Sequence, residues 1–135
     1  MRLVVLLCGL FLLTPMAFAE DGDETEETEA APEIIYLPLT PQFTVNLLGD
    51  KHYLRTTIQL QLADDETKTA IEANGPAIRH ALIVLLSNNY VENISTGAGK
   101  MELQDKAVET LNKTLKKYAK KSGVDAVFFT EFVSQ

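Results

Sequence analysis

The chain has 135 residues, 46% of them hydrophobic, with 19 acidic and 12 basic side chains. That is one domain at most, too short for a barrel enzyme or a two-domain dinucleotide enzyme. A single cysteine excludes a disulfide framework within the chain, and a formal net charge of −7 argues against nucleic-acid binding.

The N-terminus has the pattern of an export signal. After Arg2 an apolar run extends from Leu3 to Leu13, and Ala17-Phe18-Ala19 places small residues at −3 and −1 before Glu20. Residues 1–19 therefore read as a cleaved signal peptide or an uncleaved N-terminal membrane anchor. Pro15 interrupts the stretch, and Leu3 to Ala19 is short of the roughly 20 residues that a membrane span requires. Cys8 reads as one more apolar residue of this run, because Leu7 before it suits lipoprotein cleavage poorly.

Residues 20–33 hold eight acids and no base, with no large apolar side chain. Such a segment buries too little surface to offset its ordering entropy, and self-repulsion extends it. It reads as a disordered acidic linker. An acidic docking segment for a basic partner is the other reading. Residues 34–135 carry 11 acids and 11 bases, so the body is neutral and the low pI belongs to the linker.

Within the body, Ile34 to Leu37 is a short apolar run that Pro38 and Pro41 should stop. Gln42 to Leu47 alternates, with Phe43, Val45 and Leu47 on one face. After the turn residues Gly49-Asp50, Leu54, Thr56, Ile58, Leu60 and Leu62 face one way, and Tyr53, Arg55, Thr57, Gln59 and Gln61 the other. This is the pattern of an antiparallel hairpin with one wet face.

From Asp64 the period becomes helical. Asp64-Asp65-Glu66 suits a helix start, and Ile71, Ile78, Leu82, Leu85 and Leu86 form a buried stripe. Asn74-Gly75-Pro76 must kink or split this helix, since Pro76 lacks a backbone donor. Val91 to Ser95 reads as a short edge strand or a loop, and Gly97-Ala98-Gly99 as a turn. A second helix is expected from about Lys100 to Lys120, with Leu103, Ala107, Val108, Leu111, Leu115 and Tyr118 on its apolar face. Gly123 is positioned for a left-handed cap. Val124 to Val133 alternates Val124, Ala126, Phe128, Thr130 and Phe132 against Val127, Phe129, Glu131 and Val133. Both faces are largely apolar, which predicts a central strand. The fold class is α+β: a mainly antiparallel sheet with two main helices packed on one face.

Chemistry is hard to find. His52 and His80 lack the close spacing of metal ligands, and no Ser lies in a Gly-x-Ser-x-Gly elbow. Gly97-Ala98-Gly99-Lys100 lacks the remainder of a phosphate loop. The carboxylates Asp64, Asp65, Glu66 and Glu72 fit a solvated helix start, and Lys116, Lys117, Lys120 and Lys121 fit a solvated helix end. Asn93-Ile94-Ser95 and Asn112-Lys113-Thr114 match glycosylation sequons that arise readily by chance. The sequence predicts no enzyme, no metal, no cofactor, no small-molecule substrate and no nucleic-acid partner.

Four stretches carry a family likeness. They are Tyr36-Leu37-Pro38-Leu39-Thr40-Pro41-Gln42-Phe43-Thr44-Val45-Asn46-Leu47, Tyr53 to Leu60, Gly75 to Ser87, and Gly99-Lys100 together with the ending Val127 to Gln135. In this order and spacing, residues 34–135 resemble the periplasmic domain of the flagellar basal-body FliL family. The resemblance implies a stomatin-like domain at the periplasmic face of the inner membrane, at the flagellar basal body. It implies flagellar stator and basal-body partners, a homo-oligomeric ring, and a non-catalytic role in flagellar rotation and motility. Phe43, Asn46, Arg55, Arg79, Phe129 and Phe132 are the structural or interface positions that it suggests, taken with their exposure pattern. The family typically has a basic cytoplasmic tail and a full transmembrane helix. Here only Arg2 precedes a short apolar run, so a soluble periplasmic form and an anchored form both stand. A general periplasmic stomatin-like scaffold without a flagellar role is the alternative. A small periplasmic hydrolase or ligand carrier is disfavoured by the missing motifs.

Overall fold

A computed structural model describes residues 33–135. The expected signal or anchor at 1–19 and all of the acidic linker except Glu33 lie outside the described residues. The body is a three-stranded antiparallel sheet of order β1-β2-β3, with β1 Ile35–Asn46, β2 Tyr53–Leu62 and β3 Val124–Ser134. Between β2 and β3 run α1 Asp65–Ala73, α2 Gly75–Ser87, α3 Val91–Ile94 and α4 Gly97–Ala119.

The alternation of β2 decides which side is the core. Leu54, Thr56, Ile58, Leu60 and Leu62 are buried, while Tyr53 and Arg55 are exposed on the other face. Against the buried face pack Ile78, Leu82 and Leu86 of α2 and Leu103, Ala107, Leu111 and Leu115 of α4. Within each helix these follow one another at intervals of four residues, as one buried helical stripe requires. Thr56 is fully buried, and its hydroxyl donates to the Glu131 carbonyl at 2.7 Å. That bond meets the cost of placing a polar group in an apolar row.

The prolines do not stop the first strand. β1 runs through Pro38 and the cis Thr40–Pro41 bond, with its register shifted between Leu39 and Phe43. As an edge strand, β1 can turn a missing N–H toward solvent without losing a ladder bond. The extra residues of the bulge keep Leu39 and Phe43 both on the core face, opposite Ile58 and Thr56.

The last strand is an edge strand, not the predicted central one. Its simple alternation is also broken twice, between the pairs Thr57↔Glu131 and Ile58↔Phe129 and between Gln61↔Ala126 and Leu62↔Val124. Each irregularity flips the parity. Val124, Val127, Phe129 and Phe132 therefore share the core side, and Ala126, Phe128, Glu131 and Val133 take the outer one. An apolar count on both faces reflects these flips rather than burial on both sides.

The helices split where Pro76 demands it. The Asn74 amide closes α1 onto the Ala70 and Ile71 carbonyls at 3.1 and 3.2 Å, and Pro76 stands in the first turn of α2. Val91–Ile94 is a short helix rather than a strand or loop. Gly97 to Gly99 form the first turn of α4, because the Thr96 hydroxyl caps it by accepting from the Gly99 N–H at 3.0 Å. Gly99 is needed for close approach: a Cβ there would collide with the Asn93 backbone carbonyl. At the other end Lys120, not Gly123, takes the left-handed conformation, with φ 55°. Tyr118, expected on the buried stripe, is 54% exposed.

Candidate functional site

The six residues singled out from sequence fall into three places. Phe43 is buried at the β1 bulge, and the Arg79 guanidinium from α2 lies 4.0 Å from its ring centroid. Arg79 Nη1 also donates to the Pro41 carbonyl at 2.9 Å. The planar cation thus clamps the bulge to α2 by stacking and by a charge-assisted hydrogen bond. Phe129 and Phe132 are half-buried with ring centroids 5.3 Å apart, and Lys100 Nζ lies 5.0 Å from the Phe132 centroid. The bulge around Thr130 brings these two phenyls to one side although they are three positions apart.

Arg55 and Asn46 are exposed on the outer face of the sheet. Arg55 pairs with Glu131 at 3.6 Å, and Gln42 Nε2 donates to Glu131 Oε2 at 2.9 Å and to Thr57 Oγ1 at 3.1 Å. This outer polar cluster draws on all three strands. Beside it are side chains that the sequence reading did not select. Tyr36 and Phe128 flank the central strand with ring centroids 6.3 Å apart, and they are 48% and 38% exposed. Tyr53 is also exposed, and its hydroxyl donates to Gln135 Oε1 at 3.0 Å. The helical layer has its own apolar exposure at Ile83 and Val84 of α2. An almost entirely apolar α2 was the available sequence signal for that patch.

The described residues include no group of three or more His, Cys, Asp or Glu side chains placed to hold a metal ion. His52 lies between β1 and β2 and His80 on α2, and the fold does not unite them with a carboxylate cluster. Asp64 caps α1 by accepting from the Thr67 N–H at 2.7 Å and the Thr67 hydroxyl at 2.8 Å. Those bonds, with Lys121 3.0 Å away, hold its carboxyl down at about 2. Lys121 is raised in turn, first by its bond to Asp64. This is capping electrostatics at a solvated corner rather than an acid–base pair facing a cleft.

What the described residues present is a set of exposed surfaces on the outer sheet face and on α2. Residues 36–135 match the family model described as flagellar basal body-associated protein FliL. The chain belongs to the FliL family. The flagellar protein FliL of Aquifex aeolicus is 33% identical over 109 residues, a match that covers 78% of this chain and 65% of that protein. The flagellar protein FliL of Escherichia coli K12 is 28% identical over 112 residues, covering 83% of this chain and 72% of the relative. The chain thus spans just under two thirds of the length of the Aquifex FliL. The FliL match begins at Tyr36 and takes in all three strands, all four helices and each of the six singled-out positions. Among the described residues no helix is long and apolar enough to cross a membrane.

Proposed function

We propose that this FliL-family domain is a non-catalytic assembly module of the flagellar motor. Its copies join head to tail into a ring at the periplasmic face of the inner membrane, beside the stator, and support rotation. Residues 1–19 bring the chain to or across that membrane, and residues 20–33 space the domain from it. The carrying observation is a pair of unlike exposed apolar patches on opposite layers: Ile83 and Val84 on α2, and Tyr36 and Phe128 on the outer sheet face. A head-to-tail contact needs two different surfaces on each copy, whereas a two-fold dimer needs one self-complementary surface. Arg55 belongs to the polar cluster beside the sheet patch, whereas Asn46 stands at the far end of β1, opposite Tyr53. The Arg79–Phe43 clamp and the Phe129–Phe132 pair hold the strands beneath the patch.

The test uses two variants, one with Ile83→Glu and Val84→Glu and one with Tyr36→Glu and Phe128→Glu. Each removes one patch at exposed positions. In sedimentation each variant alone should be monomeric, and an equimolar mixture should stop at dimers, since one intact patch of each kind remains. Cells carrying either variant should swim less far in soft agar. Wild-type assembly and swimming by both variants would refute the proposal.

A further inference from the structure

The solvent face of α4 changes sign half-way along. Glu102, Asp105 and Glu109 lie on it, followed by Lys113, Lys116 and Lys120, at successive steps of three, four, four, three and four residues. That spacing keeps all six in one stripe. Each is exposed, and Lys117 flanks the basic half. Only Glu102 among them is in an ion pair within the described residues, with Lys106 at 2.7 Å. The helix dipole favours acids in the first turn and bases in the last, but its effect fades beyond those turns. Asp105, Glu109 and Lys113 stand in the middle of the helix, so the dipole does not account for them. Within one copy the charge blocks are unfavourable. Asp105 and Glu109 are like-charged neighbours four residues apart, as are Lys113 and Lys117, and Lys116 and Lys120.

Reversed, the order of these charges is its own complement. Glu102 and Lys120 are each nine residues from Leu111, and Glu109 and Lys113 are each two; Asp105 is six away and Lys116 five. Two copies of α4 laid antiparallel about that level therefore set Glu102 opposite Lys120, Asp105 opposite Lys116 and Glu109 opposite Lys113, each pair occurring twice. A parallel pair sets acid on acid, or, if staggered, satisfies only one half of each stripe. Met101 flanks the same stripe and is the most exposed large apolar side chain among the described residues, at 66%. Ala119 is eighteen residues further on, five full turns, so it lies on the same flank. The antiparallel arrangement brings Met101 of each copy against the small Ala119 side chain of the other.

We propose that the exposed face of α4 is a homotypic docking surface, which takes the α4 of a second copy of this chain antiparallel across a two-fold axis. The reversed charge order and the matching apolar flank select a second copy. A uniformly acidic or basic partner would satisfy one half of the stripe and repel the other. The contact is isologous, so it is complete at two copies and cannot extend a ring. It is separate from the head-to-tail contact of the α2 and sheet patches, and it joins copies of neighbouring assemblies. Exposed ion pairs are individually weak and screened by salt. Dilute copies therefore stay apart, and the contact forms where copies are held close together.

The experiment is zero-length cross-linking with a carbodiimide, which joins a carboxylate to an amine only when the two touch. A mixture of 15N-labelled and unlabelled protein, as isolated from cells, is treated at about 0.1 M salt, and the linked peptides are read by mass spectrometry. The Debye length of about 10 Å there damps repulsion between the net-negative chains without screening pairs in contact. Glu102 and Lys120 are roughly 27 Å apart along one helix, and Asp105 and Lys116 roughly 16 Å, so neither link can form within one copy. Both links are expected between labelled and unlabelled peptides, and both should vanish at about 1 M salt, where the Debye length is about 3 Å. They should persist in the Ile83→Glu, Val84→Glu variant, which separates this contact from the head-to-tail one. Charge reversal supplies a second readout. The Asp105–Lys116 link should be lost in a Lys113→Glu, Lys120→Glu variant alone and in a Glu102→Lys, Glu109→Lys variant alone, and should return when the two are mixed. Three results would overturn the proposal. One is the absence of both links from the wild type at about 0.1 M salt. Another is an Asp105–Lys116 link that survives in either charge-reversed variant alone. The third is a mixture of those variants in which the link does not return.

Discussion

Gly123→Ala tests the corner where α1, α4 and β3 meet. Gly123 donates its N–H to Asn112 Oδ1 at 3.0 Å and accepts from the Ala63 N–H at 2.9 Å, so its backbone is held from both sides. Its φ is not in the left-handed region, so the substitution is opposed by space rather than by backbone preference. A Cβ there would overlap Thr67 Oγ1 and lie 3.0 Å from both Thr67 Cβ and Cγ2. Thr67 is fully buried and bonded to Asp64, so it cannot swing into solvent. Overpacking of this kind costs about 1–3 kcal/mol. At about 4–8 °C per kcal/mol for a domain of this size, a loss near 2 kcal/mol lowers Tm by roughly 8–16 °C. Thr67→Ala removes Oγ1 and Cγ2, the atoms in the way, at its own expense of about 1 kcal/mol for the lost hydrogen bond. The double variant should then be more stable than the sum of the two losses by about 1 kcal/mol or more, the coupling expected of residues in contact. Thermal and urea melts followed by circular dichroism measure all four corners of the cycle. A Gly123→Ala loss within about 0.5 kcal/mol, the range of an ordinary surface change, or strictly additive losses would refute the steric account.

Three further outcomes follow from the same geometry. Asn112 accepts from the Gly123 and Val124 amides and donates to the Val124 carbonyl. Asn112→Ala should therefore lower stability by about 2 kcal/mol in urea melts, since it strips three half-buried groups of partners at once. Arg79→Lys keeps the charge but gives up the flat stacking on Phe43. A loss of about 1 kcal/mol is expected, with amide shifts concentrated at Thr40 to Phe43. Asp64 has its pKa depressed to about 2 by the Thr67 hydroxyl, the Thr67 amide and Lys121. Its contribution is full above the unfolded value near 3.8 and disappears as pH falls through about 2. The stability gap between wild type and Asp64→Asn should accordingly be widest above pH 4 and close toward pH 2. A gap that stays constant across urea melts in that window would contradict the linkage.

The central strand was legible because nothing interrupts its parity. Each step from Tyr53 to Leu62 changes face, and burial follows residue by residue. The helix stripes were legible except at Tyr118, which is exposed in the last turn of α4, since Pro76 dictated the break and the Leu111–Leu115 spacing dictated the face. The edges were not. Pro38 and Pro41 look like stops until β1 is known to lie at an edge, where a missing donor faces water. β3 looks apolar on both faces because two irregularities shift its register, and periodicity carries no mark of a bulge. That hidden parity also concealed the outer patch. Simple alternation sets Phe128 in line with Val124, which is buried. The true register turns Phe128 outward opposite Gln59, within 6.3 Å of Tyr36 from the far strand. The aromatic pair therefore exists only through the sheet: two strands remote in sequence, the polar outer face of the central strand between them, and the register shift of β3 between Val124 and Ala126. Core positions are fixed by local pattern plus burial. A surface for partners is fixed by which residues the core leaves over, so it becomes readable only after the register is known.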